Sequence, residues 1–369
     1  MKTLPDNPHL DHLRRQAKDL LAGLRDSDPA ASLADAQASL AEQYGFRTWA
    51  ELKAEVDRLQ GGAETADPTL AAQIAARFEL GAPTGPMRSL SRPDEIGRRW
   101  LLETVRGRWA ARTVDDVYPV TDGEHNTRFQ EAAARADVHL PAPIRSRTGA
   151  GVETIGGNRW RVYEWLRTGP PLAAPVSAAI TRQVGEILAT LHAVRFPADG
   201  ICPWNARLLG PIEQLPGPVR EPASIGDGAP ATEPVLCHNN LNPGNVRVGA
   251  GGRLVVTGWE HASGLPPEWE LAAALASWTI NPNGGVNTTG ARALIDGYRT
   301  RAGILPPLSL NAFRGAAIGL LNYVTGQLQL ARTATTLEDR RFADRNTHHL
   351  LTHLPTRATY EQVLAAALE

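Results

Sequence analysis

The sequence predicts an α+β protein with two lobes, a small β-rich lobe and a large helical lobe, preceded by a small helical domain. Three observations predict this class. Apolar residues recur at helical spacing through 8–60, a hairpin pattern occupies 100–114, and the pattern is mainly helical from about 175 to the end. A chain of 369 residues is also too long for one ordinary core, which favours more than one domain.

The first predicted domain, 1–62, is a three-helix unit. Its first helix places five apolar residues on one face, at i, i+3, i+7, i+10 and i+11: Leu10, Leu13, Ala17, Leu20 and Leu21. A second helix covers roughly 32–43, and a third begins near Thr48, which can form a capping box with Glu51. We expect no catalytic chemistry in this domain. It is either a passive accessory bundle or a docking surface for a protein partner.

A linker is predicted at 63–68, in the stretch G-G-A-E-T-A-D-P that covers 61–68. The small lobe follows over 69–167. It begins with a helix near 69–80, and the strands W-L-L-E-T-V and R-W-A-A-R-T-V flank the turn at Arg106 and Gly107. A helix near 126–137 and two further strands, the second ending in R-W-R-V-Y-E-W-L, complete it. The large lobe is predicted over 168–369.

The bulk composition favours neither nucleic acid nor a membrane as a partner. The formal net charge is −1, from 38 basic and 39 acidic residues, so we expect neither nucleic acid nor an anionic membrane as a partner. No apolar run approaches the roughly 18 residues that a membrane span needs. Only two cysteines occur, Cys202 and Cys237, which favours a reducing, cytoplasmic setting.

The chemistry of the chain is expected in one segment of the large lobe. Residues 238–245 read H-N-N-L-N-P-G-N, and a predicted strand at 253–256 is followed by T-G-W-E-H-A. Phosphoryl transfer needs positioned phosphates, bound Mg²⁺ and a carboxylate that orients the attacking hydroxyl. Kinases supply the last two from a loop of the form H-x-D-x-x-x-x-N and from a later turn that contains Asp. His238 and Asn245 have the spacing of that loop.

The segment resembles the aminoglycoside phosphotransferase and choline-kinase-like family, whose fold is protein-kinase-like. In that family C-H-x-D-L-x-P-x-N-V is followed by a strand ending in D-W-E. The resemblance extends over most of 80–369. Further matches are W-A-A-R on the third strand, V-Y-E-W-L at the hinge between the lobes, V-G-E-I-L-A-T-L-H at 184–192 and P-P-E-W-E-L-A at 266–272.

The resemblance implies a role for each of several residues. Asn240 and His238 stand at the catalytic positions, and Asn245 stands at a metal position whose family partner is Gly258. The nucleotide-binding positions are Arg112, Glu131 as its ion-pair partner, and the hinge residues Glu164, Trp165 and Leu166. For His238, a role in bracing the backbone is favoured over chemistry. Glu131 is equally well explained as a solvated helix residue.

The departures from the family pattern bear on activity. Asn240 replaces the catalytic Asp, and an amide has no basic pKa in the usable range. Gly258 replaces the metal-binding Asp and offers no oxygen to Mg²⁺. Arg112 replaces Lys, and 86–100 contains a single glycine, Gly97, where a phosphate cradle would need several. We therefore do not expect Mg²⁺, while ATP or another nucleotide stays open as a ligand.

Three functions follow as hypotheses. The first is a pseudokinase whose cleft binds a small molecule or peptide, or performs different chemistry. The second is an active phosphotransferase acting on a hydroxyl of a small molecule or antibiotic, with Glu260 and His261 as replacement metal ligands. The third is a non-enzymatic docking protein. Substrate contacts would come from 275–345, with four candidates: Asp296, Tyr298, Asn322 and Tyr323.

Overall fold

The computed structural model describes residues 10–27, 30–44, 46, 48–50, 52–53, 56, 65–90, 99–114, 122–210, 215, 221, 225, 229–281, 284–333, 343, 347–348 and 350–369. Within these ranges, no helix has both the length and the apolar character that crossing a bilayer requires.

In the N-terminal unit, α1 covers Leu10–Ser27 and α2 covers Leu33–Gln43. Where the sequence predicts the third helix, the described residues are helical as well: Trp49, Ala50, Leu52, Lys53 and Val56. Ser32 caps α2 through a capping box with Asp35, because each side chain accepts from the backbone N–H of the other residue. Leu13 and Ala17 are buried in the core between the helices, as their spacing predicts. The predicted capping partner Glu51 lies outside the described residues.

The small lobe is a six-stranded antiparallel sheet in the order β1-β2-β3-β6-β4, with β5 also paired to β6. The predicted hairpin is confirmed, because β2 and β3 pair in register from Arg99 with Arg112 to Thr104 with Gly107. Its loop is Val105–Arg106, one residue before the predicted turn, because Gly107 already pairs as the first residue of β3. The strands are β1 at Arg88–Ser89, β2 at Arg99–Thr104, β3 at Gly107–Thr113, β4 at Pro143–Ile144, β5 at Glu153–Ile155 and β6 at Asn158–Glu164.

Two helices accompany this sheet, α3 at Pro68–Arg77 and α4 at Gly123–Arg135. Asp122 caps α4 by accepting from the backbone N–H groups of Glu124 and His125. The α3 side of the sheet buries a separate core that includes Phe78, Trp100 and Trp160. By contrast, Phe129 of α4 packs in the core of the large lobe, so α4 bridges the two parts.

The large lobe is helical around two short β-ribbons, β7 with β10 and β8 with β9. Its helices are α5 at Ala178–Val194, α6 at Pro203–Ala206, α7 at Pro267–Thr279, α8 at Thr288–Ala302, α9 at Arg314–Thr333 and α10 at Arg357–Leu368. Its strands are β7 at Val235–Cys237, β8 at Val246–Val248, β9 at Leu254–Val256 and β10 at Ser263–Leu265.

Helices α5 and α8 pack backbone to backbone. A Cβ at Gly185 would collide with the carbonyl oxygen of Leu294, and one at Gly297 would collide with the carbonyl oxygen of Arg182. Both positions therefore require the smallest residue. This close contact holds the neighbouring Tyr298 against the last turn of α5, where its hydroxyl lies beside His192.

Candidate functional site

The loop after β7 has an unusual backbone at Asn239, whose φ of 56° lies in the left-handed region. Asn is among the few residues other than Gly that adopt this region readily. Its carboxamide donates to Asn205 Oδ1 at 2.9 Å and to Ser263 Oγ at 2.7 Å. Its backbone N–H donates to Glu270 Oε1 at 2.7 Å. The loop is therefore held on both sides by the large lobe.

Glu270 anchors this loop from inside α7. The residue is 2% exposed, and its Oε2 lies 2.9 Å from His192 Nε2, while His192 Nδ1 lies 2.9 Å from the hydroxyl of Tyr298. Burial alone would raise the pKa of the Glu270 carboxyl, but the hydrogen bond and charge of His192 hold it below the ordinary value. A buried chain of three side chains thus fixes the backbone of Asn239.

His238 braces the loop. Its Nε2 lies 2.9 Å from the carbonyl oxygen of Thr257, so that nitrogen carries the proton and donates. Its Nδ1 then accepts the backbone N–H of Asn240 at 3.2 Å. Complete burial lowers the pKa of His238, against the opposing charge of Glu270, and favours this neutral ring. Because backbone groups engage both ring nitrogens, this arrangement supports a role for His238 in bracing the loop rather than in chemistry.

Asn240 offers a neutral oxygen at the catalytic position. Its Oδ1 accepts from Asn242 Nδ2 at 2.6 Å, and its backbone carbonyl accepts from Asn245 Nδ2 at 2.9 Å. A carboxamide can accept a hydrogen bond from a hydroxyl, but it cannot take the proton at neutral pH. This position can therefore orient a ligand but cannot act as a general base.

The Asn245 side chain occupies the space beside Gly258, where the family has its second metal ligand. Gly258 has a left-handed φ of 80°, and an ideal Cβ placed there would lie 2.5 Å from Asn245 Cγ and 2.6 Å from Asn245 Oδ1. Asn245 thus packs against the position at which the family has its second metal ligand. Mg²⁺ requires near-octahedral oxygen coordination and is usually held by carboxylates. Two amides and a glycine do not fit that ion.

Arg112 reaches across from β3 to the turn after β9. Its Nη1 and Nη2 donate to the two carboxylate oxygens of Glu260 at 3.1 and 2.9 Å, a bidentate ion pair. Burial raises the pKa of Glu260, but the charges of Arg112 and His261 lower it by more, to about 2. Glu260 is therefore ionised and committed to Arg112, which leaves it poorly suited as a replacement metal ligand.

The ion pair expected between Arg112 and Glu131 is wrong. Glu131 binds Arg145, with its Oε1 2.6 Å from Arg145 Nε, and this hydrogen bond lowers the pKa of Glu131. The physical reason is the helical repeat of α4, which turns Asn126 and Gln130 inward and leaves Glu131 on the partly exposed flank. The partner of Arg112 comes from 148 residues further along the chain.

The hinge residues lie at the end of β6 as the sequence predicts. Glu164 is exposed, and its backbone N–H already donates to the carbonyl oxygen of Ala142 at 2.9 Å. Trp165 and Leu166 follow the strand and are half-buried. Their predicted contact with a nucleotide base stays a prediction.

Two of the four substrate candidates lie inside the large lobe. Tyr298 and Asn322 are each 4% exposed. The hydroxyl of Tyr298 pairs with His192, and the carboxamide of Asn322 binds the backbone of the segment after α6, including Leu209 N–H at 2.8 Å. Both therefore stabilise the fold. Asp296 is exposed and pairs with Arg182, and Tyr323 is 41% exposed.

Sequence reasoning missed Arg161 and Asn126. Arg161 lies directly opposite Arg112 in the register of β3 and β6, and its Nη1 donates to Asn126 Oδ1 at 3.3 Å. Asn126 in turn donates to the carbonyl oxygen of Trp259 at 2.7 Å. The alternation R-W-R in β6 was the available signal, because it places Arg161 on one face of the strand and Trp160 on the other.

Two curated relatives of this chain are homoserine kinases. Homoserine kinase of Phenylobacterium zucineum (strain HLK1) is 26% identical over 246 residues, which cover 62% of this chain and 74% of that kinase. Homoserine kinase of Caulobacter vibrioides (strain NA1000 / CB15N) is 23% identical over 249 residues, covering 62% of this chain and 76% of the relative.

Solved structures with the same fold include two small-molecule kinases. Spectinomycin phosphotransferase APH(9)-Ia, in complex with ADP and spectinomycin, superposes with a TM-score of 0.59 at 11% identity, over 83% of this chain and 99% of that one. A microcompartment-associated aminopropanol kinase gives a TM-score of 0.55 at 15% identity, over 82% and 99%. The predicted two-lobed, protein-kinase-like fold is therefore confirmed.

A family model provides the assignment. The model described as "Phosphotransferase enzyme family" matches residues 89–304, which is more than half of the chain. The match spans the small sheet, the loop at 238–245 and the turn at 257–262. This chain belongs to the phosphotransferase enzyme family.

Proposed function

We propose that this member of the family has lost magnesium-dependent phosphoryl transfer and uses its cleft to bind a ligand. One observation carries the proposal. The Asn245 carboxamide packs against Gly258, so the place where two metal ligands would meet holds one neutral amide. A metal that bridges the phosphates and neutralises their developing charge is central to transfer in this class of enzyme.

The catalytic loop supports the same proposal. General-base assistance contributes about 10²- to 10⁴-fold to a rate, and Asn240 cannot provide it. Arg112 is engaged by Glu260 through both of its terminal nitrogens, so its charge is already balanced by a carboxylate of this chain. The general base, the metal-binding position and the basic residue on the third strand thus each differ from the family pattern, and each difference weakens phosphoryl transfer.

The second candidate is an active kinase that phosphorylates a hydroxyl of a small molecule. The two homoserine kinase relatives favour it, because each matches 62% of this chain and about three quarters of its own length. The aminopropanol kinase neighbour suggests an amino alcohol as the acceptor to try beside homoserine. On this alternative, Asn240 would orient the acceptor hydroxyl, and Asn245 would hold a metal ion that supplies positive charge to the phosphates.

One assay separates the two candidates. ADP formation is followed by a coupled assay with Mg²⁺ and ATP, in the presence of homoserine, an amino alcohol or spectinomycin. A homoserine kinase relative serves as the positive control. We expect no acceptor-dependent rate above the buffer background. Turnover near 1 s⁻¹, within the ordinary range for enzymes, would contradict the proposal and establish the second candidate.

A further inference from the structure

Arg112 and Glu260 connect the two lobes directly. Arg112 belongs to β3 of the small lobe, and Glu260 belongs to the turn that follows β9 in the large lobe. Their ion pair is bidentate, with distances of 3.1 and 2.9 Å, so it fixes the direction of both side chains as well as their separation. The side chains are 14% and 21% exposed, and salt therefore screens this pair less than an ion pair at the open surface.

The same turn contacts a second element of the small lobe. Asn126 of α4 is 1% exposed and donates to the carbonyl oxygen of Trp259 at 2.7 Å. The ring of Phe129, also on α4, meets the Trp259 ring edge to face, with centroids 5.6 Å apart. The helix and the sheet of the small lobe therefore contact two consecutive residues of one turn, Trp259 and Glu260.

The turn is also fixed to the large lobe. The backbone N–H of Thr257 donates to the carbonyl oxygen of Asn245 at 2.8 Å, and the carbonyl oxygen of Thr257 accepts from His238 Nε2 at 2.9 Å. The turn thus cannot follow the small lobe without losing contacts to the loop after β7. If the sheet moves away from the large lobe, the contact that must break is the one between Arg112 and the turn.

Lobes that share a hinge move relative to each other unless contacts between them prevent it. We propose that the Arg112–Glu260 ion pair is a latch that holds the small sheet against the large lobe and keeps the cleft closed. Because the pair takes one partner from each lobe, it forms only when the lobes are together. The inference concerns the relative position of the lobes, and it does not depend on whether the chain transfers phosphate.

The test is a distance measurement between the lobes by pulsed electron paramagnetic resonance. Spin labels are attached at Val105→Cys, in the hairpin loop, and at Ile304→Cys, after α8, because these side chains are 70% and 79% exposed. The native Cys202 and Cys237 are buried, and a labelling reaction on the chain without the two substitutions controls for them. With no ligand added, we expect one narrow distance distribution. A broad distribution in this protein would overturn the inference.

Loss of the latch should change the distribution. Arg112→Met removes the charge and keeps much of the side-chain length, so the distribution should broaden by about twofold or move to longer distances. Arg108→Met is the matched control, because Arg108 lies on the same strand and pairs with Glu103 inside the small lobe, at 2.9 Å. This control should leave the distribution unchanged. An Arg112→Met distribution identical to that of the parent protein would contradict the latch.

Glu260→Gln keeps the inference testable if Arg112→Met does not fold. Gln has nearly the same shape as Glu and still accepts a hydrogen bond, but it cannot form the ion pair. The distribution should therefore broaden in this variant as well, by less than in Arg112→Met. If Glu260→Gln leaves the distance distribution as narrow as in the parent protein, the ion pair does not hold the lobes together.

Discussion

Restoring both family carboxylates should give this chain a response to magnesium that we do not expect of the wild type. The variant combines Asn240→Asp with Gly258→Asp. Without metal, the new side chain at 258 meets the Asn245 carboxamide, which must move and give up its 2.9 Å hydrogen bond to the Asn240 carbonyl. That loss costs about 1 kcal/mol. The left-handed backbone, with φ at 80°, adds at most about 1–2 kcal/mol, because Asp adopts this region more readily than most residues other than Gly.

Magnesium should return part of this loss in the variant alone. An ion at ten times its dissociation constant stabilises the folded state by about 1.4 kcal/mol. In a domain of this size that shifts the melting temperature by roughly 3–6 °C, at about 2–4 °C per kcal/mol. The assay is thermal unfolding of wild type and the double variant with and without MgCl₂. NaCl at matched ionic strength controls for screening.

The same data can refute the reasoning. We expect the double variant to melt below wild type without metal and to rise with MgCl₂, while wild type stays unchanged. An equal rise in wild type would mean that Asn245 and its surroundings already hold the ion. A double variant as stable as wild type without metal would mean that the Asn245 carboxamide does not oppose a side chain at 258.

Three further predictions test residues that hold the loop and helices of the candidate site in place. Glu270→Ala should lower the free energy of unfolding in urea by about 3–5 kcal/mol, because it strands the buried His192 and the loop N–H that it holds; a loss below 1 kcal/mol would contradict this. Gly297→Ala should cost about 1–3 kcal/mol through collision with the Arg182 carbonyl, whereas unchanged stability would mean that the helices can separate freely. Because the pKa of His238 is lowered in the folded chain, the unfolded chain binds a proton below about pH 6.5 that the folded chain does not. The free energy of unfolding should therefore fall as the pH drops below that value, and His238→Gln should remove this part of the pH dependence. Parallel plots of unfolding free energy against pH for the two proteins would refute the assignment.

Local signals in the sequence predicted much of the small lobe. The two-residue loop between Thr104 and Gly107 follows from two strand patterns that flank a glycine. The spacing of His238 and Asn245 likewise places both in the loop between β7 and β8. These features depend on neighbours within a few residues, where period and turn chemistry determine the geometry.

Long-range partners could not be predicted in this way. Spacing along the chain suggested Glu131 as the ion-pair partner of Arg112. Spacing carries no information, however, on the direction in which a residue of α4 points. Glu260 is 148 residues from Arg112, and only the fold brings them together. The sequence shows that Asp is missing at position 258. It does not show that the Asn245 side chain packs there, because that contact depends on the conformation of the turn after β9.

The most direct test of the central claim is a titration of the metal itself. Mn²⁺, as a paramagnetic substitute for Mg²⁺, is titrated into the wild-type chain with ATP and followed by electron paramagnetic resonance. Loss of the metal-binding position predicts that the protein adds no signal from a Mn²⁺ ion held by its own side chains, so the spectrum does not respond to Asn245→Ala. One Mn²⁺ bound per chain at submillimolar concentration, with a spectrum that changes in Asn245→Ala, would contradict the account.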